Sequence, residues 1–511
     1  MRRQAVPNRP SSSGAIGAER ISAIGRVADL PTPTLDVERL RQHFDFPATG
    51  RVVTNNGAST QPPRELVDLY RSLVPWYDNV HRGQSSASQH MTHLFEESYD
   101  TIAAWLNAPS RRNIVIYRNT TEAINAVMYS LLSEFRDGDN VVTTMMEHNS
   151  NFVPWYALSR EILPRFDRRV ECRIARFDHR TGELDLDHLA HLVDARTKLV
   201  CVTGASNFLG TKPPLDVIRD IASNSGYSQP SGEVGSRLLV DAAQLAPSVS
   251  VDVQALGVDY LAFSFHKILA PFGVGVLYGR EHLLAESLPF LYGGDMIAEG
   301  QVAPTHVNYN DLPWKYSAGT PNILGVIVSA QALRLVLDLV AGESRWFGTS
   351  APIPRNVIVS AMNLVTDHTR ALTEQALSEA QNIAGLTVYG PAPGTPRSPL
   401  LAFNVGGTDP TRIAEGLNEF GVESRAGCHC ATLAHRDYGL NPPASCRLSF
   451  ALYTNGDDVS RAMDALRRVT RKFARGRMIA PVGERQTCHE TRLHSVGKFR
   501  SHKTRRLTTT K

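Results

Sequence analysis

The chain has 511 residues, 42% hydrophobic and 20% charged, a soluble globular makeup with apolar mass for more than one core. Its six cysteines are widely scattered, which argues against a disulfide framework and fits a reducing, cytoplasmic compartment. The net charge of +4 is uneven: residues 471–511 carry twelve Lys or Arg against Glu484 and Glu490, so the rest is mildly acidic and the core is not expected to bind nucleic acid.

Residues 1–35, rich in Arg, Ser, Gly and Pro, read as a disordered leader, and an organelle transit peptide shares that bias. From Asp36 the pattern becomes globular. DVERLRQHFDF predicts a short helix, and RVVTNNGAST predicts a strand entering a polar turn in which Gly57 either lets a ligand approach the backbone or serves a plain tight turn. The stretch IVIY predicts a strand over 114–117 that leads into a helix near Thr120, with Ile124, Val127, Leu131 and Phe135 on one face. Thr120 and Thr121 would place two hydroxyls beside free helix N–H groups, a phosphate-binding arrangement that is also an ordinary helix cap.

The next strands end in polar residues. The strand from Val141 ends at Glu147, His148 and Asn149, where an imidazole would stack on a flat ring or lie on the surface. Residues 199–202 lead to Ser206 and Asn207; residues 238–240 deliver Asp241, with Gln244 three positions on. An aspartate after a buried strand is costly unless a cation or strong donor meets it. Residues 261–263 form a further buried strand that breaks at Ser264, and Pro271 with Gly273 turns the chain into another strand, so Lys267 sits on the connection. Desolvation there lowers an amine's pKa and suits it to Schiff-base formation, although a turn lysine pointing to water has the same sequence. The alternation over 100–280 predicts an α/β fold, a mostly parallel sheet flanked by helices that binds ligands at its strand ends.

The apolar run 322–340 contains Gln331, Arg334 and Asp338 and reads as a buried helix, not a membrane span. A smaller α+β domain is expected beyond it. Its strands fall at 400–405, around Val422 and at 447–450, its helices start near Thr411 and carry Val459, Met463, Leu466 and Phe473, and a cysteine loop lies between. The expected division is a large domain over 36–335, with 36–60 packing on the smaller one, a small domain over 336–475 and a basic disordered tail over 476–511.

The stretches NNGAST, NVHRGQSS, TTEAIN, MEHNSNFVPW, VTGASNFLG, LVDAAQLAP, AFSFHK, SAGTPNI, RAGCHCA and SCRLSFALYTN together resemble the class V aminotransferase family, fold type I enzymes that use pyridoxal 5′-phosphate (PLP). Within it the chain is most similar to the group II cysteine desulfurases and selenocysteine lyase-like enzymes, over roughly residues 50–470. The resemblance implies that Lys267 holds PLP as a Schiff base and that Asp241 pairs with the ring nitrogen, making the ring an electron sink. It implies that His148 stacks on the ring, that Asn207 and Gln244 lie near the phenolic oxygen or the substrate, and that Thr120, Thr121, Ser264 and His266 hold the phosphate. Thr320, His81 and Arg82 are expected to reach a neighbouring subunit's site, which implies a homodimer. Cys430 stands at the nucleophile's position; Gly57, Asn207, Arg425 and Arg447 are expected to meet L-cysteine, and a sulfur-acceptor protein to take the product. Arg425, His429 and His435 are cationic or polar neighbours suited to favouring the Cys430 thiolate. Two positions depart from the pattern. Phe265 replaces a common glycine, with crowding of the site or altered substrate access as the expected effect, and Cys428 replaces a usual histidine, read as a packing residue with a second acceptor or redox partner as alternatives. A metal at the Cys-His-Cys triplet has little support without a second ligand cluster. The rival readings are another class V reaction (aminotransferase, epimerase or a different C–S lyase) and a scaffold without catalysis.

Overall fold

The computed structural model describes residues 34–478. The leader and the basic tail fall outside the described residues, apart from the last turn of a helix that ends at Met478.

A two-residue strand, β1 (Val52–Val53), precedes the large sheet. That sheet is built from β2 (Ile114–Tyr117), β3 (Asn140–Thr144), β4 (Glu171–Ala175), β5 (Thr197–Thr203), β6 (Arg237–Asp241), β7 (Tyr260–Ser264) and β8 (Gly275–Gly279), in the spatial order β2-β8-β7-β6-β5-β3-β4. Neighbours from β7 through β4 are parallel, and β8 runs antiparallel to both β2 and β7. Every residue of β5, β6 and β7 is buried, which is why their middle residues, 199–202, 238–240 and 261–263, read as unbroken apolar runs. Alternation still decides which side each residue serves. Val200, Val202, Leu238, Val240, Leu261 and Phe263 enter one core, while Leu199, Cys201, Leu239 and Ala262 enter the other.

Helix Ile323–Ala341 packs in the first core. Its two buried charges are satisfied. Arg334 donates to the Ala351 carbonyl at 2.8 Å, and Asp338 accepts backbone N–H groups of Arg345, Trp346 and Phe347. A boundary at 335/336 falls in the middle of this unbroken helix.

The hairpin β9 (Ile297–Ala303) and β10 (His306–Tyr309) lies mostly exposed. A second, antiparallel sheet holds β11 (Leu386–Tyr389), β12 (Leu400–Val405), β14 (Arg425–Gly427) and β15 (Ser445–Ser449) in the order β11-β12-β15-β14, while β13 (Val422–Glu423) pairs in parallel with β1. The segment after β1 continues that contact: Gly57 N–H donates to Ser449 Oγ at 2.7 Å, and Asn56 Nδ2 to the Ser449 carbonyl at 2.9 Å. The carboxyl ends of β5, β6 and β7 thus face a rim of residues from β14, β15 and the cysteine loop.

Candidate active site

Between these elements lies a cavity of about 240 Å³ lined by residues from both sheets, among them His148, Asn207, Asp241, Lys267, Cys430 and Arg447. Of the site residues expected from sequence, Gly57, Thr120, Thr121, Gln244, Ser264, His266 and Arg425 line it as well. Thr320 does not. It is exposed, in a separate cavity with Tyr117, Arg118 and Asn322.

Lys267 ends a short 3₁₀ turn, Phe265–Lys267, directly after β7. Residues from before the large sheet clamp the turn: Thr60 N–H donates to the His266 carbonyl at 2.9 Å, and Thr60 Oγ1 accepts the Leu269 N–H at 2.8 Å. The clamp holds Leu269 in the left-handed region, φ 61°, where a leucine does not rest unaided. Burial lowers the Lys267 ammonium to about 8; the Asp241 carboxylate opposes that shift, while Arg447 and Arg425 add to it. Phe265 does not crowd the site. It is fully buried in the core against Phe263, ring centroids 5.3 Å apart, because it continues the two-residue alternation that puts Leu261 and Phe263 in that core.

Asp241, at the end of β6, is 3% exposed and takes the Ala243 N–H at 2.9 Å. Burial raises its pKa, and Lys267 counteracts the rise. At the end of β3, His148 Nδ1 accepts the Ser150 N–H at 3.1 Å, and burial lowers the ring to about 4, so it is a neutral flat surface at ordinary pH. Helix Thr120–Leu131 begins behind Asn119, whose side chain caps the Glu122 N–H. Ser264 Oγ meets both the Thr120 N–H, at 2.7 Å, and the Thr120 hydroxyl, at 2.6 Å; Thr121 Oγ1 meets Ser150 Oγ at 2.6 Å. Four hydroxyls therefore cluster at a helix N-terminus, where partial positive charge favours an anion.

Arg425 and Arg447 sit directly opposite each other on β14 and β15. Two like charges in register oppose folding, so the pairing points to a function that needs both. Arg447 is buried and donates to the Asn207 carbonyl at 2.7 Å; burial, aided by Arg425, lowers it to about 9. A Cβ on Gly57 would stand 3.2 Å from the Arg447 guanidinium carbon, which explains a glycine where sequence left a plain turn equally open. Gln244 Nε2 donates to the Gly57 carbonyl at 2.7 Å and fixes that approach.

The cysteine loop is held down on the strand ends. Asn207 Nδ2 donates to the His429 carbonyl at 2.6 Å, Asn149 N–H to the Cys430 carbonyl at 2.6 Å, and Ala431 N–H to the Cys428 carbonyl at 2.7 Å. His429 and Cys430 both take positive φ, 51° and 56°, each at a cost on the order of 1–2 kcal/mol that these bonds offset. His429 and His435 share the Ser445 hydroxyl, at 3.1 and 2.9 Å. Burial lowers His429 to about 2 and also lowers His435, so both are neutral. They are the polar neighbours of Cys430, and the guanidinium charge on the same cavity comes from Arg425 and Arg447.

Glu147 supports the site from below and is a residue that sequence reasoning did not select. Its carboxyl is 1% exposed beneath the cavity floor and accepts from Thr144 Oγ1 at 2.6 Å, Asn151 Nδ2 at 2.7 Å and the Thr203 N–H at 3.0 Å. Thr203 is the register partner of Asp241. Burial outweighs the three donors and Glu147 is raised to about 8. The only signal in sequence is its place at the end of β3 beside His148. Among the described residues, no group of His, Cys, Asp and Glu side chains is placed to hold a metal ion.

A doubly wound sheet that gathers a desolvated amine, a buried carboxylate and a hydroxyl-rich helix end at one rim defines a fold type I PLP-dependent enzyme. The chain belongs to the class V aminotransferases: the family's profile matches residues 52–345 and 358–462. It is 36% identical over 450 residues to a protein of Halobacterium salinarum named a probable cysteine desulfurase, covering 86% of this chain and 98% of that one. The crystal structure of the cysteine desulfurase CsdA from Escherichia coli superposes with a TM-score of 0.72 at 28% identity, over 86% of this chain and all of that one. A lysine-to-alanine mutant of C-DES, with glycine covalently linked to its PLP cofactor, shares the fold at a TM-score of 0.67 and 20% identity, over 84% of this chain and 98% of that one.

Proposed function

We propose that the chain is a cysteine desulfurase that binds PLP in the 240 Å³ cavity and transfers the sulfur of L-cysteine to Cys430, leaving L-alanine. The observation that carries the reading is that one cavity brings together an amine, Lys267, a thiol, Cys430, and a buried guanidinium, Arg447. An aminotransferase or epimerase needs the first and third of these; the thiol is what sulfur transfer adds.

The residues fit the cofactor. Asn207 Oδ1 and Arg447 Nε are buried polar atoms without a protein partner, and both belong to cavity-lining side chains. Thr120, Thr121, Ser264 and His266 would hold the phosphate, Asp241 the ring nitrogen and His148 the ring face; Asn207 and Gln244 would flank the phenolic oxygen. When bound, PLP supplies an electron sink for negative charge developing at the substrate Cα.

The chain's own groups do the rest. Arg447 binds the substrate carboxylate through two parallel N–H bonds, with Gly57 leaving it room. Lys267, whose lowered pKa leaves a useful fraction as free amine, takes the Cα proton and returns it to Cα once the sulfur has left, while Cβ gains the proton that the substrate thiol gives up. The Cys430 thiolate attacks the substrate sulfur: an S–S bond forms, the C–S bond breaks, and the carbon skeleton leaves as L-alanine. A second copy of the chain completes the site with Thr320, and a sulfur-acceptor protein takes the persulfide.

Incubating the PLP-loaded protein with L-cysteine tests the reading. Wild type forms alanine and a Cys430 peptide heavier by one sulfur atom; Cys430→Ser keeps its yellow colour and forms neither. Alanine and sulfide at wild-type rates from Cys430→Ser would overturn the nucleophile assignment. A keto acid in place of alanine would assign the chain to the aminotransferases.

A further inference from the structure

Cys428 lies two residues before Cys430, and the two differ in what they face. Cys430 lines the active-site cavity; Cys428 does not, and it is partly exposed and free. Cys428 shares its partial exposure with Cys430 and Cys172, whereas Cys201 and Cys446 are buried.

The backbone between the two thiols is a tight turn. The Ala431 N–H bonds the Cys428 carbonyl at 2.7 Å, and both central residues, His429 and Cys430, have positive φ. Chain length alone keeps Cα atoms two residues apart within about 7.6 Å. A turn shortens that towards the range of about 4.4–6.8 Å over which two cysteines can be bridged. The outer sulfur of a persulfide on Cys430 extends the reach by a further bond.

The same turn is fastened from below. The Cys430 carbonyl is held by Asn149 and the His429 carbonyl by Asn207, both on strand ends of the large sheet. A cysteine pinned in this way accepts sulfur inside the cavity, but it cannot carry that sulfur outward without breaking two short hydrogen bonds and releasing a left-handed backbone.

We propose that Cys428 is a second sulfur carrier, taking the outer sulfur from the Cys430 persulfide and presenting it outside the cavity to an incoming thiol. The proposal rests on the desulfurase reading. The Cys428 thiolate attacks the outer sulfur of the Cys430 persulfide; a new S–S bond forms on Cys428, the old one breaks, and its electron pair leaves on Cys430 as a thiolate. One sulfane sulfur moves, the proton stays on the outer sulfur, and no oxidant or reductant is consumed. The partner's chemistry is that of an accessible thiol, from a protein or a small molecule.

The test is a single turnover of the holoenzyme with L-cysteine, trapping by alkylation and peptide mass mapping of both cysteines. In wild type the extra sulfur is expected on Cys428 as well as Cys430. In Cys428→Ser it stays on Cys430 alone and passes more slowly to an added small thiol. Extra sulfur on Cys430 alone in wild type would overturn the proposal, as would a Cys428–Cys430 disulfide with free sulfide, since that product marks attack on the inner sulfur. A persulfide on Cys428 in Cys430→Ser would reverse the order of transfer and also sink it. A separate measurement does not use the desulfurase reaction: a mixed disulfide placed on Cys430 with an aromatic disulfide is resolved by Cys428 in wild type, with release of a second thiol, and persists in Cys428→Ser. Persistence in wild type shows that the thiols do not meet, whereas absence of alanine alongside normal resolution means that the desulfurase reading, not the turn geometry, has failed.

Discussion

At the scale of single residues, the site is a set of groups whose ordinary charge burial has altered. Lys267 is lowered to about 8, so its free-amine fraction rises with pH and levels off above that value. Attachment of PLP to the cofactor-free protein requires that free amine. The second-order rate of attachment, followed by absorbance, is therefore expected to climb about tenfold per pH unit below 8 and to flatten above it; a flat profile from pH 6 to 9 would contradict the shifted amine. Glu147 gives a stability counterpart. Its folded pKa, about 8, stands above the ordinary carboxylate value, so the folded state keeps a proton that the unfolded chain has released. Its contribution is complete below about pH 4.5 and is lost as pH rises through 8. Glu147→Gln, which cannot titrate, should flatten that part of the stability–pH curve in denaturant melts. Glu147→Ala, which strands the Asn151 and Thr203 donors, should cost on the order of 3 kcal/mol.

At the scale of elements, the strands that carry the site were readable because each is buried on both faces and stops at a polar residue. Residues 114–117, 238–240 and 261–263 lie inside observed strands for that reason. What sequence could not supply was the far partner. β1 finds β13 across some 370 residues, and that pairing brings Gly57 to Arg447. Nor was the hairpin β9–β10 visible, since both strands are mostly exposed and so lack an apolar alternation. Phe265, by contrast, was legible: its two-residue spacing from Leu261 and Phe263 carries the strand alternation into the same core just ahead of the lysine turn. The turn itself makes a prediction. Thr60→Val removes the acceptor for the Leu269 N–H while keeping the side chain's shape. Leu269 then holds its left-handed backbone with less support, and unfolding in urea should show a loss of about 1–3 kcal/mol. The loss should be accompanied by slower PLP attachment, because Lys267 rides on the same turn; an unchanged attachment rate would mean that the clamp is not what places the amine.

At the scale of the whole molecule, the two ends of the large sheet do different work. The carboxyl ends of β5, β6 and β7 gather the chemistry, while the amino ends of β5 and β6 hold a buried ion cluster far along the strands from it. Lys198, fully buried, meets Glu134 at 2.9 Å, and Arg237 meets the same carboxylate at 3.0 Å. Burial pulls Lys198 down to about 8, while Glu134 sits below its ordinary value: burial raises it, but Arg237 and Lys198 together outweigh that. One carboxylate thus compensates two buried cations. Glu134→Gln would leave both without their directly paired carboxylate, with only the charges of Asp139 on Lys198 and Asp259 on Arg237 remaining, and removing one partner of a buried ion set costs about 3–5 kcal/mol. The expected result is a large fall in the denaturation midpoint, with the alanine produced per folded molecule at 25 °C unchanged, since the cluster and the cavity share no residue. Replacing Glu134 together with Lys198→Met and Arg237→Met should recover most of the loss, because an apolar trio of similar volume needs no compensation. If Glu134→Gln instead abolished turnover while the protein stayed folded, the two ends of the sheet would be coupled in a way that these contacts do not provide.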